Sequence, residues 1–364
     1  MALSEESFLP DGSDCAETWR KLRWPDGPKC MEWPKCMECG SSEVAVRTTN
    51  YRDHLYRYEC EECGCWFTHT SGTLIENANV DLPVWVYVIR EMDKDCSINS
   101  IAKDLSHTYE TIHRLSEVIR KAIYERREEW LGVLTGEVEA DDVHLKGGQQ
   151  GRELPSGKSE SDGTESEGEA TVRGREARER GLSERGRGSW DGDRPPAVLW
   201  VEREEKGKRG ARVIELRRGV DQKSLFRSAW RHVEPGSRID TDDFSGYGLL
   251  DAAYDHRSVD HEDTYVTEEG VHCNTAEAEW SVFKPWWNKF RGVAKRNIYW
   301  YLSEYSFRRS HRSKSRQSRL ERIMVLLYTD LYTDLIMRGH YRANPGRGGA
   351  RASLGSIERG LAEF

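Results

Sequence analysis

The sequence predicts an α/β protein preceded by two small modules, and three observations carry that prediction. β-prone segments at 136–148 ("GEVEADDVHLKGG"), 197–204, 211–219 and 237–243 surround one short amphipathic stretch at 222–232, which reads as three strands, a helix and a fourth strand. Two Cys-x-x-Cys pairs stand upstream, and between them and the first strand two stretches show helical periodicity.

Composition bounds the class. A chain of 364 residues has room for two or three domains. It contains no apolar run of the roughly 18 residues that a membrane span needs, and the start "MALSEESFLPDG" lacks the basic and apolar regions of a signal peptide, so a cytoplasmic protein without a membrane partner is expected. The formal net charge of -8 is unevenly spread: Lys284 to Arg322 hold twelve Lys or Arg against Glu304 and Glu321. A local basic tract in an acidic chain still fits a nucleic-acid partner. Forty Arg against fifteen Lys, with the acid excess, fit a salt-adapted cell.

In chain order, residues 1–30 are polar and read as a loose lead-in. Residues 31–75 hold "CMEC" and "CEEC", with Cys36, Cys39, Cys60 and Cys63 spaced to bring four thiolates to one ion. Four thiolates close a tetrahedral zinc shell and leave no place for water, so the predicted zinc is structural. β-prone residues around the second pair suit a zinc ribbon; Cys30 and Cys65 lie close enough to compete as ligands, and Cys15, Cys96 and Cys273 read as ordinary thiols. Residues 81–130 carry apolar positions at Ile98, Ile101, Ala102 and Leu105, then Ile112, Leu115, Val118 and Ile119. "LSHTYET" separates the two runs, and Thr108 is placed to cap the second, as in a helix-turn-helix that reads DNA from Tyr109 to Arg120, with Arg114 and Arg120 as contacts. From 149 to 194 the chain is Gly, Ser, Glu and Arg with almost no apolar residue, and is expected to be a disordered insertion. A helical segment from Thr275 to about Phe307 and a last helix from 319 to 337, within a C-terminal region 313–364, complete the pattern.

The acids of the first strand pose the functional question. Alternation puts Glu137, Glu139 and Asp141 on one face and Val138, Ala140 and Asp142 on the other. Asp242 closes the strand in "IDTDDFSGY", where by itself it also suits a turn or a helix cap. Thirty-four residues separate it from Glu277 in "HCNTAEAEWSVFK", and on a helix Glu277, Trp280 and Lys284 share a face. An acid and a lysine two turns apart suit a metal ligand beside a phosphate contact.

Taken together, these motifs resemble the insertion-sequence transposases of the Asp-Asp-Glu (DDE) type, in the haloarchaeal and bacterial group with an N-terminal zinc ribbon. The resemblance runs from about Trp24 to 312. It implies a ribonuclease-H-like catalytic domain over 135–312, a mixed sheet flanked by helices. It also implies Asp141, Asp242 and Glu277 as the catalytic carboxylates, holding two Mg²⁺ ions for which Mn²⁺ can substitute, and Lys284 on transposon-end DNA. Asp142 stands where the family usually has Glu, Asp243 where it usually has Gly, and Asn274 is a lesser candidate for the third ligand. Two hard cations roughly 3.5–4 Å apart suit phosphodiester chemistry, and carboxylate oxygens suit hard cations. Arg291, Lys295 and Arg296, with Trp286, Trp287, Arg308, Arg309 and Arg312, are then candidates to hold the DNA backbone. The implied activity is binding of terminal inverted repeats, strand cleavage and strand transfer by a homo-oligomer in a synaptic complex. A DNA-binding regulator without catalysis and a nuclease or resolvase without strand transfer are the rival readings.

Overall fold

The computed structural model describes residues 9–24, 36, 38–51, 54–76, 78–148, 190, 194–204, 210–259, 271–290 and 292–327. Arg291, Cys30, the C-terminal tail after 327 and, apart from Trp190 and Arg194, the insertion expected at 149–194 lie outside the described residues.

The first element corrects the sequence reading, because the polar lead-in contains a helix, α1 (Gly12–Arg23). Its N-cap Asp11 accepts from the backbone of Ser13 and Asp14, and Cys15, Ala16 and Trp19 are fully buried. Only that short apolar stripe breaks an otherwise polar segment, so periodicity is weak. Strands β1 (Val44–Tyr51), β2 (Leu55–Cys60) and β3 (Trp66–Thr68) then form an antiparallel three-stranded sheet in that order.

Helices α2 (Leu82–Asp93), α3 (Ile98–Asp104) and α4 (Tyr109–Glu125) follow. Thr108 caps α4 as expected, its hydroxyl accepting from Thr111 N–H, an arrangement worth about 1 kcal/mol. Ser106, at φ 55°, turns the chain between α3 and α4. A short α5 (Arg127–Trp130) leads out.

The α/β domain begins with β4 (Glu137–His144) and β5 (Gly147–Gly148), and resumes with β6 (Pro196–Glu202) and β7 (Arg212–Leu216). Helix α6 (Gln222–His232) has the bounds read from the sequence, and β8 (Arg238–Asp242) and β9 (Asp255–Val259) follow. The five-stranded sheet has the order β7-β6-β4-β8-β9; β6 runs antiparallel to β4 and β7, while β4, β8 and β9 are parallel. Both faces of β6 are covered, which explains its unbroken apolar run.

Instead of one helical segment from 275 to 307, two helices close the domain, α7 (Asn274–Asn288) and α8 (Ile298–Ser310). Between them the chain turns at Gly292 (φ 118°), and a two-residue strand β10 (Val293–Ala294) pairs with β5. Helices α7 and α8 cover one face of the sheet with Trp280, Phe283, Trp286 and Trp287 in the core, and α6 covers the other. The last helix, α9 (Arg316–Leu327), packs into the core formed by α1, α2 and α4, joined there by Phe307 of α8. No described helix is long and apolar enough to cross a membrane.

Candidate active site and metal centre

In the N-terminal sheet the two Cys-x-x-Cys turns are built alike. Gly40 N–H donates to Cys36 O at 2.8 Å and Gly64 N–H to Cys60 O at 2.9 Å, with both glycines in the left-handed region at φ 74° and 71°. Cys36 N–H reaches Ser41 O and Cys60 N–H reaches Cys65 O, so each turn aims two sulfurs at the other. The four ligand atoms all lie within 4.8 Å of one another, with Cys36 Sγ 3.4 Å from Cys63 Sγ and Cys39 Sγ 3.5 Å from Cys60 Sγ. Zn–S bonds of about 2.3 Å in a tetrahedron put sulfurs roughly 3.8 Å apart, so this zinc-ribbon-like cluster fits the ion. Burial opposes ionisation of Cys36, yet the backbone N–H groups of Cys39 and Glu38 bring its thiol down to about 7. Cys65 stays outside the cluster, bonded to Trp66 O, and burial pushes its thiol up to about 11.

The acids of the sheet are arranged in two rows. The β4–β8 ladder pairs Glu137 with Arg238 and Glu139 with Asp240 and ends there, whereas β4 continues against β6 to His144. Two residues further along each strand come Asp141 and Asp242, on the same face by the pleat, at the mouth of the fork where β4 and β8 part. Crevices of this kind, at the carboxyl ends of strands where the chain leaves in opposite directions, are the usual ligand sites of α/β sheets.

The inner row is neutralised within the protein. Arg203 binds Glu139 and Glu137 at 2.8 Å each and Asp240 at 2.5 Å, and Arg238 adds a contact to Asp240 at 2.8 Å. Glu139, completely buried, also accepts from Thr275 N and Oγ1 at 2.7 and 2.8 Å and from Ala276 N at 2.9 Å. It therefore caps α7, fixing the first turn of the helix that carries Glu277.

In the outer row, Asp141 is pushed up to about 7 by burial first, opposed by a hydrogen bond from Asp142 N–H at 2.7 Å and aggravated by the charges of Asp242 and Asp142. Lys284, exposed on α7, pulls it back down. Asp242 accepts from Phe244 N–H at 3.3 Å. Glu277 is the fourth residue of α7 and is exposed. Among the described residues, the four cysteines are the group whose ligand atoms all meet within 4.8 Å, so Asp141, Asp242 and Glu277 are spread more widely than that.

One neighbour went unread in the sequence, although "TDDFSGY" contains it. Tyr247 is 1% exposed, its hydroxyl finds no hydrogen-bond partner among the described residues, and burial followed by the charges of Asp142, Asp141 and Asp242 raises it well above the ordinary phenol range. Arg203 was missed as well, and nothing local in "WVEREE" marks it.

The expected DNA contacts divide. Arg114, Lys284 and Arg296 are exposed, whereas Lys295 donates to Trp190 O and lies over the Trp190 ring at 6.0 Å. Arg120 is turned inward: it is 2% exposed, binds Glu304 at 2.6 Å and Ser116 Oγ at 2.8 Å, and stacks on Tyr301. It is a buried tie between α4 and α8 and offers no guanidinium to a ligand. Arg309 is spent on Glu279, Arg308 on Asp95 and Arg312 on Glu204, while Trp286 and Trp287 are core residues. Arg120→Ala is expected to destabilise the protein by about 3–5 kcal/mol in chemical denaturation, because it takes the 2.6 Å partner from buried Glu304 and leaves it only the longer contact to Arg308 at 3.8 Å; an unchanged midpoint would contradict that role.

In a mixed α/β domain whose strand ends gather carboxylates, joined to a zinc-ribbon-like cluster, the chain is similar to insertion-sequence transposases. More particularly, residues 133–310 match the family described as ISXO2-like transposase domain, and this part of the chain belongs to it. The chain is also 28% identical over 307 residues to a protein of Halobacterium salinarum described as "Uncharacterized protein in transposable element ISH50", covering 84% of this chain and 92% of that one.

Proposed function

We propose that this transposase binds the terminal inverted repeats of its element and cuts and joins DNA strands with Asp141, Asp242 and Glu277 as a DDE set. The observation that carries the reading is the fork between β4 and β8, which sets Asp141 beside Asp242 with Lys284 at hand. The sheet order, with its second strand antiparallel, supports a ribonuclease-H-like domain. Hard carboxylate oxygens suit Mg²⁺, with Mn²⁺ as substitute. Asp141, Asp242 and Glu277 would hold such ions, whose chemistry would be to activate the attacking oxygen and stabilise the leaving one.

The chain's own residues do the rest. Asp141 and Asp242 lie on the sheet, and Glu139 holds the first turn of α7, the helix that carries Glu277. Lys284, two turns along, neutralises a phosphate of the bound strand. Tyr247 lies buried beside the carboxylates, close enough to feel the charges of Asp142, Asp141 and Asp242. The exposed first half of α4, with Tyr109 and Arg114, reads DNA in a helix-turn-helix, and the ribbon supports that module. Two element ends call for two such sites, hence a homo-oligomer.

The test is incubation of labelled end DNA with Mg²⁺ and target DNA. New 3′-hydroxyl ends and joined products are expected. Cut ends without joined products would favour a nuclease or resolvase, and binding without cleavage a regulator.

A further inference from the structure

A second place on the α/β domain has the chemistry of a polyanion site. Between β7, the edge strand, α6 and α8 runs a groove of about 540 Å³, on the side of the sheet edge away from β9. Six cationic side chains line it, Arg127 from α5, Arg217 and Arg218 just after β7, and Lys223, Arg227 and Arg231 from α6.

Its two acids are used internally. Glu215 binds Arg231 at 2.6 Å, Arg217 at 3.2 Å and Ser228 Oγ at 2.5 Å, and although burial opposes its ionisation, His232 beside it holds its carboxyl down to about 2. Asp221 is the N-cap of α6 and accepts from Ser224 N–H at 3.0 Å. Among the described residues, Arg218, Lys223 and Arg227 enter no salt bridge, so the charge they bring is left for something outside the chain.

The outer face of α6 adds a second, independent sign. Lys223, Arg227 and Trp230 return to one side of the helix at steps of four and three, and Trp230 is 58% exposed while stacked on Phe226 at 6.0 Å. A solvent-facing tryptophan among cations, on a helix whose opposite face is core, suits a surface that is both anionic and flat-sided. The same helix is fastened to the loop that follows Asp242. Gln222 Nε2 donates to Ser245 O at 3.0 Å, and a Cβ on Gly246 would stand only 2.6 Å from Val220 O. Whatever lies along α6 is thereby held at a fixed offset from Asp242.

We infer that this groove and the exposed face of α6 bind the sugar-phosphate backbone of duplex DNA, giving the catalytic domain a DNA contact separate from Lys284. The inference rests on the proposed action on DNA and extends it to a surface that the motifs did not indicate. Charge complementarity selects DNA among the possible occupants: each phosphate neutralised releases a counterion, and three uncommitted cations on one face offer about three such contacts.

The experiment compares the full-length wild type with Arg218→Ala/Lys223→Ala/Arg227→Ala, and separately with Trp230→Ala. Binding of two duplexes, one carrying the element's end and one unrelated, is followed by fluorescence anisotropy over a series of salt concentrations. The triple variant is expected to bind about ten-fold or more weakly at low salt, with the log–log salt slope less steep by roughly two to three, near 0.9 per lost phosphate contact. Loss on both duplexes assigns the groove to DNA in general, and loss on the end duplex alone assigns it to element-end DNA. A folded triple variant with wild-type affinity and slope on both duplexes overturns the inference. Cleavage by the wild type, measured alongside, keeps the two claims apart: wild type that binds but does not cut refutes the catalytic reading only, whereas a wild type that cuts and a triple variant that binds normally refute the groove only.

Discussion

Replacing Asp141 with asparagine is expected to make the metal-free protein more stable and the enzyme inactive. Burial and the charges of Asp242 and Asp142 raise the Asp141 carboxyl to about 7 from an ordinary value near 4. A carboxyl raised in the fold holds its proton more tightly there than in the unfolded chain. Stability is therefore highest below about pH 4 as far as this group is concerned, and is lost as pH rises through the window from about 4 to 7. Above that window the ionised Asp141 is a standing cost that asparagine lacks. The variant should melt a few degrees above the wild type at pH 8, given about 2–4 °C per kcal/mol for a domain of this size, and less so at pH 5. Added Mg²⁺ should raise the melting temperature of the wild type and leave that of the variant nearly unmoved. Cleavage should fall about 1,000-fold or more, some 4 kcal/mol of barrier. A variant that is both less stable at pH 8 and fully active would remove Asp141 from the site.

Removal of zinc is expected to have the larger structural effect. The three-stranded sheet is small, its apolar centre resting on Tyr58 and Phe67, stacked at 5.4 Å, with little else to bury. Metal binding by four thiolates contributes on the order of 10–16 kcal/mol in small zinc modules, so the sheet should not persist without it. One zinc per chain is expected by atomic absorption. Cys60→Ser, or a strong chelator, should abolish the fold of β1–β3 and weaken end binding, while the α/β domain keeps its own unfolding transition. A chelated protein that retains this sheet and binds ends as before would refute the role of the cluster.

How far the sequence could be read depended on how local the signal was. The ribbon cysteines, the Thr108 cap, the strands at β6 and β8 and the helix 222–232 are each written in adjacent residues, and the structure places all of them where the pattern does. What pairwise spacing could not show was which charges are already matched across the fold. Glu139 and Asp141 look alike in "GEVEADD", yet one faces Arg203, sixty-four residues away in the chain, and caps α7, while the other stands at the open fork. Arg120 and Arg309 look like DNA contacts in sequence and are committed to Glu304 and Glu279 across helix interfaces. The converse holds for α6, whose cations are scattered among apolar residues in "QKSLFRSAWRH" and converge only when the helix turns its core side to the sheet. Strand β9 escaped notice because it is an edge strand with one buried residue, Val259.

The proposed carboxylate site was legible only as a pattern of three acids; the structure adds that Glu139 and Asp240, one step below Asp141 and Asp242, are matched by Arg203. The central claim is that Asp141, Asp242 and Glu277 act together in metal-dependent DNA cleavage, and the measurement that tests it most directly is cleavage of end DNA with Mg²⁺ by the wild type and by Asp141→Ala, Asp242→Ala and Glu277→Ala. Activity in the wild type and its loss in all three, with end binding and zinc content unchanged, is the predicted result. Equal activity in all four proteins, or loss in Asp142→Ala with Asp141→Ala still active, would contradict it.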